Sequence, residues 1–403
     1  MKLLPPKARV GDRVAILSPS LAAPGFAPAV HEQAMARLEA LTGLVPVEYP
    51  TTRLLGASPE ERARDLNAAF ADPSIRAILA TVGGDDQIAV IPHLDGAAAL
   101  SDPKPFLGYS DNTNLHQWLW SLGIASFYGG STQVHVGPGP HVDPIHLDSL
   151  RAALLTGAEL EITEPGESED MGHDWLDPRA LTEFGEREAT EPWTWAGPSR
   201  SVTGPTWGGC LEVLQWVLTA GRFPADPHVL DGAVMLIETS ETLPSASEVR
   251  WILRAMGERG LLAAVDAVLV ARPPASSLED RRDAPARARF RAEQRDAVVE
   301  TIGRSYGTWL LDRGFGRMSI GGDVRLSTSR IRAALTRGVL AAGVDVIDVG
   351  TLTTPMLYWS LHHLDLMGGI MITGSHNPPN MNGLKLCWDK ATLWGDDVQA
   401  IRR

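Results

Sequence analysis

A serine that follows a small residue lies where an apolar segment gives way to a helix-like one. Residues 105–107 are mostly apolar, Gly108 and Ser110 follow, and a helix-like run begins at Leu115. Because glycine has no Cβ, a sharp turn at Gly108 can lift the Ser110 hydroxyl out of the backbone, as a nucleophile elbow requires. The free N–H groups at the helix start could then hold a developing oxyanion. The alternative is that Ser110 or Asp111 only caps the helix.

Strands and helices alternate along the first part of the chain. Segments 14–17 and 75–82 are apolar and strand-like, and residues 27–41 look helical. This alternation predicts an α/β fold with a parallel sheet and helices on both faces. Ligands bind at the carboxyl ends of such strands, where the Gly83-Gly84 turn and Ser110 both lie. The glycine turn can direct N–H groups at a carbonyl that Ser110 would attack.

Composition and charge exclude several classes of protein. The 403 residues, 44% hydrophobic and 21% charged, suggest roughly two to three soluble domains. A formal net charge of −13 argues against nucleic acid or an anionic membrane as the main partner. Cys210 and Cys387 form neither a metal-binding motif nor a disulfide framework, which favours a reducing compartment. Without a signal peptide or an apolar run of membrane-spanning length, we expect a cytoplasmic protein.

Two later segments supply candidate binding and catalytic residues. Residues 158–203 have little periodicity and predict a functional loop or a crossing between domains. The strand-like segment 232–238 ends in Glu238, which could orient a histidine or could only form a cap or a salt bridge. Four tryptophans could stack on a flat ligand or pack the crossing against the body of the protein, and these are Trp175, Trp193, Trp195 and Trp207.

The order and spacing of these segments resemble the LD-carboxypeptidase family of serine peptidases over about residues 3–300. The amino-acid sequences of three segments are most similar to the microcin-immunity branch of that family, and these are 206–215, 237–241 and 255–261. The resemblance rests on Gly11-Asp12, Ser18-Pro19-Ser20, Gly83-Gly84, Gly108-Tyr109-Ser110-Asp111, Gly208-Gly209, Glu238 and Arg272-Pro273.

This resemblance implies an α/β N-terminal domain that carries the serine and a C-terminal domain that carries a glutamate and a histidine. It implies Ser110 as the nucleophile, Glu238 as the acid, and N–H groups near Gly84 and Asp111 as the oxyanion hole. The reaction would be acyl transfer to water without a cofactor. The implied substrates are muropeptide tails with an L,D bond or aminoacyl-nucleotide conjugates, and the tryptophans would suit the second by stacking on a nucleobase.

The histidine that the family places after the Arg-Pro segment is missing. His228 is the last histidine before residue 300, and the next are His362, His363 and His376. A serine without its base is a weak nucleophile, so we expect impaired activity. The missing strand should also leave an exposed sheet edge or hydrophobic face near the second module, with poor stability or compensating association such as a homodimer.

The chain changes character near residue 300, within one long predicted helix at 286–311. From residue 302 onward the sequence resembles the first domain of α-D-phosphohexomutases (phosphomannomutase/phosphoglucomutase). The segments that carry this resemblance are 318–327, 343–348, 354–358, the Thr-Gly-Ser-His-Asn-Pro loop at 373–378, and 382–385.

The second resemblance implies a phosphoryl-transfer site that is incomplete. Ser375 would carry the phosphate and help to hold Mg²⁺, His376 would line the site, and Lys385 would steady the phosphoryl group. A complete mutase would need Mg²⁺, but Ser375 alone cannot supply the several oxygen ligands that divalent ions require.

The sequence therefore predicts three domains: residues 1–157, a truncated domain at 204–301 and an incomplete domain at 302–403. The crossing segment, residues 158–203, joins the first two. Three hypotheses follow from this arrangement. The chain is an impaired serine carboxypeptidase or amidase, a phosphohexomutase fragment acting through Ser375, or a junction product with neither activity.

Overall fold

The computed structural model describes residues 3–157, 159–193, 201–223, 226–377, 381–394, 398 and 401. Three α/β modules follow one another along the chain, each built on its own sheet. Within these described residues, no helix combines the length and apolar character needed to cross a membrane.

The first module is a five-stranded parallel sheet covered on both faces. Its elements are β1 (Arg13–Leu17), β2 (Val45–Glu48), β3 (Ile75–Ala80), β4 (Phe106–Gly108), β5 (Phe127–Tyr128), α1 (Pro28–Thr42), α2 (Pro59–Ala71), α3 (Gly96–Ser101), α4 (Thr113–Ser121) and α5 (Pro144–Arg151). The strand order is β2-β1-β3-β4-β5. Ala15 and Leu17 belong to one buried apolar cluster, and Val14 and Ile16 belong to another. Alternate residues of β1 therefore face opposite cores, which confirms the predicted α/β layering.

The crossing segment is fastened to the second module by ion pairs. Its described residues form a two-stranded antiparallel ladder, β6 (Glu167–Ser168) and β7 (Glu188–Ala189), and a 3₁₀ turn at Pro178–Leu181. The buried carboxylate of Asp170 accepts hydrogen bonds from Arg272 and Arg291, each at 2.7 Å. Since both arginines belong to the second module, the crossing is held against it by charge as well as by packing.

The second module has three parallel strands. Its elements are β8 (Thr206–Cys210), β9 (Val234–Glu238), β10 (Ala267–Val270), α6 (Leu211–Thr219), α7 (Ala246–Glu258) and α8 (Leu261–Ala264). The strand order β10-β9-β8 leaves β10 at the edge. Val268, Leu269 and Val270 are 40–47% exposed. The exposed apolar edge expected from the missing strand is therefore present on β10.

Helix α9 (Ala284–Leu311) joins the second module to the third without a linker. Ala297 packs in the core of the second module, whereas Tyr306 and Leu310 pack in the core of the third. The third module also contains β11 (Arg317–Gly322), α10 (Thr328–Ala342), β12 (Asp345–Thr351), α11 (Thr354–His363), β13 (Gly368–Ile372), β14 (Leu384–Trp388) and β15 (Ala391–Thr392), in the sheet order β12-β11-β13-β14-β15.

Close packing and a shared carboxylate hold α9 against its neighbours. Gly338 of α10 lies so near α9 that a Cβ there would overlap the Glu300 carbonyl oxygen. The Glu300 carboxylate accepts hydrogen bonds from Arg250 of α7 at 3.1 Å and from Arg337 of α10 at 3.2 Å. One side chain thus bridges a helix of the second module and a helix of the third.

We predict that Gly338→Ala destabilises the protein by about 1–3 kcal/mol, since α10 must move away from α9 to admit the methyl group. Urea unfolding followed by circular dichroism measures the change. Gly257→Ala is the matched control, because a Cβ on this helical glycine would meet only Leu262 Cδ1 at 3.8 Å. The control should be neutral or slightly stabilising. Equal effects of the two substitutions would contradict this account of the contact.

Candidate functional site

Ser110 lies in a sharp turn between a buried strand and a helix. Strand β4 ends at Gly108, a single 3₁₀ turn covers Ser110–Asn112, and α4 begins at Thr113. Ser110 has a φ of +62°, a left-handed conformation that non-glycine residues seldom adopt. Thr113 Oγ1 donates a hydrogen bond to the Ser110 carbonyl oxygen at 2.7 Å and so fixes the turn. Strain of this kind is characteristic of functional sites.

The glycine turn after β3 approaches Ser110 closely. A Cβ built on Gly83 would lie 2.7 Å from Ser110 Oγ and 3.2 Å from the Asp111 backbone nitrogen. Gly84 has a φ of +154°, and a Cβ there would overlap Ser20 Oγ. Any side chain at either glycine would therefore displace the serine turn or the loop after β1.

The Asp111 side chain ties the loops around Ser110 together. Its buried carboxylate accepts hydrogen bonds from Ser20 Oγ at 2.5 Å and from the Gln87 N–H at 2.9 Å. It also accepts one from Asn114 Nδ2 at 2.9 Å. Burial raises the pKa of Asp111, and the hydrogen bonds from Ser20 and Gln87 oppose this shift. The side chain thus acts as a clamp, while its N–H remains the candidate oxyanion donor.

Glu238 reaches the serine turn through a tyrosine. The Tyr128 hydroxyl, at the end of β5, donates to Glu238 Oε1 at 2.5 Å. The same hydroxyl oxygen accepts a hydrogen bond from the Ser110 N–H at 3.0 Å. Burial raises the pKa of Glu238 to about 7, against the opposing hydrogen bonds from Tyr128 and the Ser110 N–H. Serine turn, tyrosine and carboxylate form one partly buried network across two modules.

The second module is held against the serine helix by direct contacts. The Cys210 N–H, opposite Glu238 in the β8–β9 register, donates to Thr113 Oγ1 at 3.0 Å. Gln117 of α4 donates from Nε2 to the Gly208 carbonyl oxygen at 2.9 Å. The carboxyl end of the second sheet therefore faces that of the first.

No imidazole hydrogen-bonds to Ser110 in the part of the chain that the structure describes. The nearby His116 ring lies 2.9 Å from the Gly108 carbonyl oxygen and 2.7 Å from Ser126 Oγ, so both nitrogens are occupied. Burial lowers its pKa to about 4. His135 packs edge-on against Tyr109, with 5.1 Å between ring centroids, and burial lowers its pKa to about 3. Both rings stay neutral at physiological pH.

The four tryptophans have different environments. Trp207 is a correction to the stacking hypothesis: it is 2% exposed, packs in the core of the second module and donates from Nε1 to Gln117. Trp175 stacks on Phe26 at 6.1 Å, and Trp193 is 37% exposed. Trp195 lies outside the described residues. Trp175 and Trp193 remain candidates for ligand contact.

The Ser375 loop of the third module is organised by a partly buried arginine. Ser375 has a φ of +51° and is exposed, as is His376. Arg325 donates from Nη2 to the Asn377 carbonyl oxygen at 2.8 Å and from Nη1 to that of Met381 at 2.9 Å. Asp323 holds the same guanidinium at 3.0 Å. The loop is thus fixed from beneath with its serine outward.

The described residues around Ser375 do not fit a magnesium site. Lys385 lies on β14, in register with Met371 of β13. No group of three or more histidine, cysteine, aspartate or glutamate side chains suited to a metal ion occurs in the described portion of the chain. Ser375 therefore has no set of carboxylate partners here with which to hold a divalent ion.

Sequence reasoning missed Tyr128 and Arg325. Tyr128 ends a strand of the parallel sheet, as the other site residues do, and this position is the signal that could have identified it. Arg325 lies in the segment 318–327 that carries the second resemblance, which implies no separate role for it. Its two-residue spacing from Asp323 is what allows the ion pair beneath the Ser375 loop.

Known families match all three modules. Residues 14–129 match the LD-carboxypeptidase N-terminal domain, and residues 203–308 match the LD-carboxypeptidase C-terminal domain. Residues 281–403 match the phosphoglucomutase/phosphomannomutase alpha/beta/alpha domain I. The last two matches overlap within α9, so this helix has features of both families.

Individual proteins agree with these matches. A Vibrio cholerae protein provisionally named a carboxypeptidase is 30% identical over 237 residues, which are 57% of this chain and 68% of that protein. An Escherichia coli phosphomannomutase is 41% identical over 114 residues, but these are 27% of this chain and only 24% of that enzyme. The crystal structure of an MccF-like protein from Streptococcus pneumoniae in complex with AMP has a TM-score of 0.63 at 26% identity, covering 72% of this chain and 87% of its own.

We predict that the buried Glu238 makes stability fall as pH rises. Its pKa is about 7 when folded, against an ordinary value of 4.5. Between these values the unfolded chain loses a proton that the folded chain keeps, so the folded state is progressively disfavoured. Glu238→Gln stays neutral, so its stability relative to the parent should rise by up to about 3 kcal/mol between pH 4 and pH 8.

Urea unfolding of the parent and of Glu238→Gln across this pH range measures the difference in their free energies of unfolding. The difference at pH 4 is the internal reference. Tyr128→Phe removes a hydrogen bond that lowers the Glu238 pKa, so the pH-dependent window should shift upward. A difference between Glu238→Gln and the parent that does not vary with pH would refute the buried, raised-pKa carboxylate.

Proposed function

The chain belongs to the LD-carboxypeptidase family over its first two modules and ends in a first domain of the phosphoglucomutase/phosphomannomutase type, and on that basis we propose that it is a serine hydrolase whose acyl-enzyme forms on Ser110. The observation that carries this proposal is the left-handed turn at Ser110, linked through the Tyr128 hydroxyl to the Glu238 carboxylate. A helix-capping serine needs neither feature.

The proposed reaction is hydrolysis of an amide bond. Ser110 Oγ attacks the carbonyl carbon, the N–H groups at Gly84 and Asp111 stabilise the oxyanion, and the amine leaves with a proton. Water then releases the acid. Among the described residues no imidazole contacts Ser110, so its proton must pass to water or to the substrate. We therefore expect turnover to be slow, since loss of one triad member typically costs on the order of 10⁴-fold in rate.

Two substrate classes fit the proposed reaction: muropeptides with an L,D bond, and aminoacyl-nucleotide conjugates of the microcin type. The nucleotide class has the more specific support, because the Streptococcus pneumoniae relative was crystallised with AMP. Trp193, which is partly exposed in the crossing segment, offers an aromatic surface on which a base could stack. Trp207 does not contribute to this surface.

We also place the protein in the cytoplasm, without a nucleic-acid or membrane partner. The support is its net charge of −13 and the burial of both Cys210 and Cys387 as free thiols. A small-molecule or peptide-conjugate substrate and self-association are the expected interactions. No cofactor is needed for the proposed hydrolysis.

We predict slow covalent labelling of Ser110 by a fluorophosphonate probe, because the turn presents the hydroxyl even where the base is lacking. Intact-protein mass spectrometry and peptide mapping measure the site and rate. Ser110→Ala should abolish labelling. Ser375→Ala, which removes an exposed serine in another turn, should leave the labelling unchanged. Tyr128→Phe should reduce it, since the Ser110 N–H loses its acceptor.

Absence of labelling in the parent, with Ser110→Ala indistinguishable from it, would refute the hydrolase. If labelling occurs, product release from the two substrates assigns the class. Faster release from an aminoacyl-nucleotide would assign the nucleotide class, and faster release from an L,D-muropeptide would assign the muropeptide class. If the protein shows neither activity nor labelling, the junction-product hypothesis remains.

Phosphoryl transfer through Ser375 is a second candidate function. The specific observation in its favour is the outward Ser375 turn, fixed by the Arg325 contacts beneath it. Lys385 is the candidate for steadying the phosphoryl group, and His376 for lining the site. Since the described residues do not form a metal site, and the chain covers about a quarter of the Escherichia coli enzyme, we propose acceptance of phosphate at Ser375 but no complete mutase cycle.

Incubation with glucose 1,6-bisphosphate should add one phosphoryl group at Ser375, detected by phosphopeptide mapping. Ser375→Ala is the control for the site. Arg325→Ala should lower the extent of phosphorylation, because the loop loses the guanidinium that holds its carbonyl groups. If no phosphate appears at Ser375 in the parent protein, this second function fails.

A further inference from the structure

Strand β10 carries three consecutive exposed apolar side chains in the peptidase-like part of the molecule. It is the outer strand of the three-stranded sheet and pairs on one side with β9. The ladder is continued by the Asp266 N–H, bonded to Ala233 O, and the Ala271 N–H, bonded to Ile237 O. On its other side, no strand of the described residues pairs with β10.

Both faces of this strand are partly exposed as well as its edge. Val268, Leu269 and Val270 are 40%, 42% and 47% exposed. Successive residues of a strand point to opposite faces, so three consecutive exposed apolar side chains mean that neither face is fully covered. Proteins ordinarily protect an edge with charge, proline or a covering element. β10 has none of these between Ala267 and Ala271.

The residues of this edge are symmetric about Leu269. The segment from Ala267 to Ala271 reads Ala-Val-Leu-Val-Ala in both directions. When two such segments pair antiparallel about a twofold axis through Leu269, alanine faces alanine, valine faces valine and leucine faces leucine. Each cross-strand pair then joins side chains of equal size, and β-branched pairs are favourable partners in sheets. An unrelated strand would not have this matching as a consequence of the sequence itself.

We propose that β10 is the docking surface for β10 of a second copy of this chain, paired antiparallel about Leu269 into one continuous six-stranded sheet. Because each chain has a single β10, the pairing is isologous and closes at the dimer. The segment is uncharged, so two chains with a net charge of −13 can meet there without placing like charges opposite each other. The edge is small, and the association is therefore weak and dependent on concentration.

Disulfide trapping of the full chain tests the pairing and its register. Paired Cα atoms in antiparallel strands lie about 4.5–5.5 Å apart, within the range that a disulfide spans. Leu269→Cys should therefore form a covalent dimer at least about tenfold faster than Val324→Cys, although Val324, on a loop of the third module, is the more exposed position. Both native cysteines are buried and give a low background.

The register has its own test. Ala267→Cys and Ala271→Cys should each trap a dimer slowly alone, and an equimolar mixture should trap the mixed dimer at least about tenfold faster. Trapping of either single variant as fast as the mixture would mean a different register and would overturn the proposed axis. Equal rates for Leu269→Cys and Val324→Cys would overturn the interface.

Sedimentation equilibrium of variants without new cysteines provides the independent measurement. The parent should associate to dimers as concentration rises, and Leu269→Lys should remain monomeric because charge would face charge across the axis. Leu340→Lys, at an exposed apolar position on α10, should dimerise as the parent does. A parent that stays monomeric, or Leu269→Lys that still dimerises, contradicts the proposal, and far-UV circular dichroism verifies that the variants are folded.

Discussion

Helix α9 has to serve two hydrophobic cores at once, and the arrangement of the second and third modules depends on this constraint. Its first half lies against the second module, where Ala297 is buried, and its last turns carry Tyr306 and Leu310 into the third. A continuous backbone ladder runs through both halves, so the two modules cannot rotate freely about the join. Glu300 adds to this coupling, because its carboxylate bridges Arg250 and Arg337 from opposite sides.

The same helix explains why no strand of the described residues pairs with the outer edge of β10. After β10 the chain enters α9, and at the far end of α9 it continues into β11, which pairs with β12 and β13 of another sheet. No later strand among the described residues returns to β10. The chain that follows α9 therefore builds the third sheet, and the outer edge of β10 stays unpaired among the described residues.

Much of the fold could be predicted from the sequence because its signals are local. Alternating apolar segments identified the parallel sheet, and the long helix at 286–311 agrees with α9 to within two residues at its start. The turn at Ser110 was also predictable, because Gly108 and the change from strand to helix lie within a few residues. Glu238 was a candidate because a strand-like segment ends there, but nothing local in its sequence pointed to its partner Tyr128.

The contacts that complete the site could not be predicted in this way. Tyr128 ends a strand of two residues, and nothing in its neighbours distinguishes a core aromatic from a hydroxyl placed between two modules. Trp207 is a second case. Its sequence context left open whether it stacks on a ligand or packs, and β8 turns it inward to Gln117 and the second core. Both cases depend on contacts between distant segments, which periodicity and composition do not encode.

The position of the candidate nucleophile and its activation have separate physical origins. The turn is set by the lack of a side chain at Gly83, by the clamp that Asp111 forms with Ser20, and by the Ser110 N–H bond to Tyr128. None of these interactions involves an imidazole, so a base is not needed to build the elbow. Activation is different, because it requires a proton acceptor at Oγ. The contacts that build the serine turn are therefore not the ones that would accept its proton, and the geometry of Ser110 alone does not measure its reactivity.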